Sequence, residues 1–147
     1  MPERFQIPAW LAAFIVFFFS QIVAGTIAGF LLGIISGALG ISSSLVEAHK
    51  WIARIFVFGG IWLSIFIFAW LSITLLRRRL GHGEEGRVIF YFLVYAIAYQ
   101  FLAWIADAWS GTFSLSFTSI VLDGIAYAVT VSAIYLRLSR QSESRFS

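Results

Sequence analysis

Apolar residues run through the chain in four long stretches, broken by short polar clusters around residues 40–44, 77–86 and 110–112 and by a polar tail from Arg137. Each stretch is at or above the ~20 residues that a helix needs to cross the hydrocarbon of a bilayer. None alternates polar and apolar positions over about ten residues, as the strands of a membrane barrel do. The pattern predicts an all-α, polytopic membrane protein. Its four transmembrane helices are expected over residues 8–37, 45–76, 87–109 and 113–136, as an up-down bundle forming a single membrane domain over residues 1–147.

The boundaries follow from local chemistry. Pro8 suits the first position of a helix, where its missing N–H does no harm. The apolar run after it reaches Leu39, which is too long for the core of a signal peptide, so the segment is expected to be retained. Ser44 with Glu47 three residues on reads as a capping box for the second helix. That helix outlasts a bilayer, so Glu47, His49, Lys50 and Trp51 are expected among headgroups, and Arg77, Arg78 and Arg79 end it. Leu80 to Gly86 is a polar hairpin, Ser110-Gly111-Thr112 is a second turn, and the tail RLSRQSESRFS is expected to fray.

Within the first apolar stretch, Gly25, Gly29, Gly33 and Gly37 recur every four residues. Positions four apart stack on one helix face, so the glycines form a groove. In water each would cost roughly 1 kcal/mol against alanine. In a bilayer, small residues let a second helix approach closely and gain packing. The groove is therefore expected to seat another helix, from a second copy or a different subunit in preference to this chain.

Charge sets the orientation. Arg4, Arg77, Arg78, Arg79, Arg87, Arg137, Arg140 and Arg145 fall on one predicted side, and Lys50 and Arg54 on the other. That bias places both termini in the cytoplasm, with a plasma or inner membrane as the expected location. It also accounts for the net charge of +3 without nucleic acid; affinity for anionic lipid at the inner face is the expected consequence. Tryptophans 10, 51, 104 and 109 suit the interfacial belts, while Trp62 and Trp70 lie deeper as packing.

Composition narrows the chemistry. The chain is 61% hydrophobic and 12% charged, against about 25% charged in soluble domains. It has no cysteine and two histidines, His49 and His82, both outside the apolar runs. Thiolate chemistry and a haem held between two membrane histidines are excluded. No nucleophile–base set, metal-ligand spacing or phosphate loop is visible, so neither enzyme activity nor a cofactor or metal is expected. His82 with Glu84 and Glu85 reads as a solvated loop.

Polar residues inside the spans need a partner or a function. Counting inward from Pro8, Arg87 and Arg137 at ~1.5 Å per residue places Gln21, Gln100 and Asp123 in one layer near the midplane. Ser116, Ser119, Asp123, Tyr127 and Thr130 form a stripe on helix four, and Ala96, Gln100, Ala103 and Asp107 share a face of helix three. This cluster either ties helices together or contacts a cation or proton. At the outer edge, Arg54 and Asp107 are expected to pair across helices two and three. Tyr91, Tyr95 and Tyr99 form an aromatic ladder expected to serve packing. The reading favoured is an accessory or scaffold subunit, docking through the glycine groove onto a larger membrane complex. The alternative is a small homo-oligomeric ion or proton channel or transporter using Gln21, Gln100 and Asp123.

Overall fold

The computed structural model describes residues 5–40, 47, 50–81, 83–112 and 116–146. The expected Ser44 cap and the His82 loop position lie outside them. The described residues form helices and no strands. Helix α1 spans Ala9–Ala38, α2 Lys50–Leu76, α3 Glu85–Ser110 and α4 Phe117–Phe146. All four contain a window long and apolar enough to cross a membrane, within Ala9–Ala38, Arg54–Arg79, Glu85–Ser110 and Phe117–Arg140.

The elements start and stop where side-chain chemistry requires. Pro8, extended at ψ 148°, precedes α1. The triple arginine tightens into a 3-10 turn, Arg77–Arg79, after α2. Helix α3 ends on Gly111 at φ +73°, with its N–H on the Ala108 carbonyl at 3.3 Å and the Thr112 N–H on Asp107 at 3.1 Å. That is a Schellman stop, which needs the left-handed conformation that glycine adopts without strain. The tail does not fray at residue 136: α4 continues to Phe146. No glycine or proline interrupts that tail, and cationic residues near a helix C-terminus complement its dipole. Its arginines also find a partner, since Arg137 and Arg140 lie over the Trp70 ring at 5.4 and 5.6 Å.

The packing order differs from the chain order. Helix α1 packs on α2 and α3, and α4 also packs on α2 and α3, but α2 and α3 have no substantial contact. The helices therefore form a ring in the order α1, α2, α4, α3. The core occupies one end: Ala12, Ala13 and Val16 of α1, Ala69 and Ile73 of α2, Val88 and Phe92 of α3, and Ala133 and Ile134 of α4 are buried. Alanines on α1 let the large Phe92 and Phe17 rings settle at 5.9 Å. At this end the Ile7 N–H donates to the Arg79 carbonyl at 2.9 Å, and the Arg137 guanidinium donates to Thr74 at 2.8 Å. Towards the other end the helices part. Trp51, Phe117 and Trp109 are 77, 81 and 91% exposed there, on surfaces suited to lipid or to another membrane protein.

Candidate functional site: a polar cleft and an open glycine groove

Gln100 and Asp123 meet between α3 and α4. The Trp104 indole N–H can only donate, so the Gln100 amide oxygen must face it, at 2.9 Å. The amide nitrogen then donates to the Asp123 carboxylate at 3.2 Å and to the Tyr127 hydroxyl oxygen at 3.3 Å. One amide thus connects three side chains, Trp104 on its own helix and Asp123 and Tyr127 on α4. These groups line a cleft of about 260 Å³, whose other walls include Leu93, Ile97, Phe101, Ile120 and Gly124. Among the described residues the only ion pair joins Arg87 and Glu84, at 2.9 Å, so Asp123 has no cationic partner there.

Gln21 does not join this group. Its amide donates to the Thr130 hydroxyl at 2.6 Å, and Thr130 in turn donates to the Ala126 carbonyl. Thr130 stands seven residues beyond Asp123, about 10 Å along the helix. The single expected layer is therefore two. The counts inward from Arg87 and Arg137 bring Gln100 and Asp123 together, and the count from Pro8 is the one that misplaces Gln21. Gln21 sits in a π-helical stretch of α1, Phe18–Val23, and its bond links two helices that otherwise scarcely touch. Local widenings of this kind are often found where a helix presents a side chain for a task.

Among the described residues, no side chain fills the glycine groove. A Cβ placed on Gly25, Gly29, Gly33 or Gly37 would meet nothing within 4 Å. Helix α1 reaches α2 through the neighbouring stripe, Ala24, Ala28 and Leu32, rotated by about 100° from the glycines. The close approach on that seam is made by Gly60 of α2, whose Cβ position is 3.6 Å from Leu32. Gly29 and Gly33 instead border an apolar recess of about 590 Å³ with Phe56, Val57 and Phe58, and with Lys50 and Arg54 on its lining.

The expected Arg54–Asp107 pair does not form. Arg54 is on α2 and Asp107 on α3, which lie across the diagonal of the ring at the end where the helices part. The tyrosine ladder packs against α1: Tyr95 and Tyr99 lie 6.4 and 5.6 Å from the Phe17 ring, and the Tyr95 hydroxyl donates to the Trp10 carbonyl. Three contributions were not foreseen. Trp104 serves the Gln100 network and not only an interfacial belt; its position one turn after Gln100 was the available signal. Trp70 is a platform for two arginines, and Gly60 rather than the glycine stripe makes the close helix contact within the chain.

Set against known proteins, the chain matches no family model, and no curated protein or solved structure matches it significantly.

Proposed function

We propose that this protein is an integral membrane accessory or scaffold subunit, which docks onto a larger membrane complex through the groove of Gly25, Gly29, Gly33 and Gly37. In this reading it is an up-down bundle in a plasma or inner membrane, with both termini cytoplasmic and the basic end against anionic lipid. One observation carries it: four glycines in register line a helix face where, among the described residues, a Cβ added to any of them would meet no atom within 4 Å. Four helix-destabilising residues on a face without a partner have no use inside the monomer. A second helix lying there would gain backbone-close packing, the main source of helix association in lipid. The adjoining recess supplies room, and Lys50 and Arg54 supply polar anchors.

The channel reading has less support, because Gln21 bonds Thr130 and leaves Gln100 and Asp123 without a third helix in their layer. Native mass spectrometry after mild extraction from the source membrane tests the proposal. A stoichiometric foreign membrane partner is expected, released by the double substitution Gly29→Ile, Gly33→Ile. A homo-oligomer without other protein, or a partner retained by the variant, contradicts it.

A further inference from the structure

We infer that the cleft between α3 and α4 is a binding site for a lipophilic organic cation, an amine carried on an apolar or aromatic body. The site has the three parts such a ligand needs. Its acceptor is the Asp123 carboxylate, which receives one amide hydrogen bond from Gln100 and faces no cation among the described residues. A carboxylate at this depth in an apolar helix is costly until an opposite charge meets it. Its aromatic lining is Phe101, Trp104 and Tyr127, whose ring faces attract an organic cation. Its mouth is apolar: Ile97 and Phe101 at the rim are 60 and 57% exposed, so entry is from the bundle's flank, where lipid would lie.

Charge and coordination favour an organic cation over anions, neutral amphiphiles and hard divalent ions. An anion would meet Asp123, and a neutral amphiphile would leave its charge uncompensated. A hard cation such as Ca²⁺ needs six to eight oxygen ligands, whereas the cleft's side chains offer the Asp123 carboxylate, the Tyr127 hydroxyl and a Gln100 amide oxygen already engaged by Trp104. An amine supplies its own N–H donors to Asp123 and buries its body against the hydrophobic rim. The Gln100 amide, fixed by Trp104, holds the carboxylate for it. The cleft is on α3 and α4 and the glycine groove is on α1, so the two proposals stand or fall separately.

The test is equilibrium binding of radiolabelled 4-phenylbutylamine to the full chain in zwitterionic nanodiscs, measured against empty nanodiscs. Expected are saturable one-to-one binding, at least tenfold weaker binding of the neutral 4-phenylbutanol, and a loss of at least tenfold in Asp123→Asn. Gly124→Leu is the second variant: Gly124 lines the cleft, and a Cβ there meets no atom within 4 Å among the described residues, so a larger side chain has room to enter the cleft from that position. It is expected to abolish binding with unchanged circular dichroism, and it decides the matter alone if Asp123→Asn does not fold. No saturable binding, equal binding of the alcohol, or full binding by either folded variant overturns the proposal.

Discussion

Gln100 is the residue on which the polar chemistry of this bundle turns. Its amide accepts from Trp104 and donates to Asp123 and Tyr127, so removing it strands three groups together. Gln21 is less consequential, because Thr130 keeps its own bond to the Ala126 carbonyl. Gln100→Leu is therefore expected to destabilise by about 1–2 kcal/mol, as for partly buried groups left unpaired. Gln21→Leu is expected to cost about 0.6 kcal/mol, near the mean for hydrogen bonds between membrane helices. Unfolding by steric trapping in bicelles measures both, and equal losses contradict this ranking. The importance of Gln100 and Asp123 was legible in the sequence, since both are expensive in an apolar span. Gln21's true partner was not, because depth counted from Pro8 assumes that helix one starts at the same level as helices three and four.

At the scale of the element, α1 carries two small-residue faces with opposite uses. Ala12 and Ala13 are fully buried in the core, so space there is already taken. Ala13→Leu is expected to cost about 1–3 kcal/mol by overpacking. Gly33→Leu, whose Cβ meets nothing, is expected to leave monomer stability unchanged or to raise it by up to ~1 kcal/mol through helix propensity. Thermal unfolding of the two purified variants makes the comparison. A large loss from Gly33→Leu would show that the groove is filled from within. The four apolar helices could be read from hydropathy alone, and the α3 stop from Gly111. The length of α4 could not, because a polar tail that contains no breaker looks the same whether it frays or continues.

For the whole molecule, the ring order α1, α2, α4, α3 explains why a well-packed end and a parted end coexist. Consecutive apolar runs suggest consecutive neighbours, and the expected Arg54–Asp107 pair depended on that assumption. The connection from α2 to α3 instead crosses the ring, a choice set by which faces fit best: Phe17 of α1 against Phe92 and the tyrosines of α3, and Trp70 of α2 against the arginines of α4. Hydropathy gives helices but not their pairing, since every face is apolar and lipid competes with each contact. The parted end leaves the glycine groove accessible to a docking helix.

Photo-crosslinking in the native membrane tests docking through this groove. The chain has no cysteine, so Gly33→Cys provides a single thiol for a maleimide-benzophenone, and Leu31→Cys, on the opposite face of α1, provides the control. Adducts to another membrane protein from Gly33 but not from Leu31 are predicted; no adduct, or equal adducts from both positions, would contradict docking through the groove.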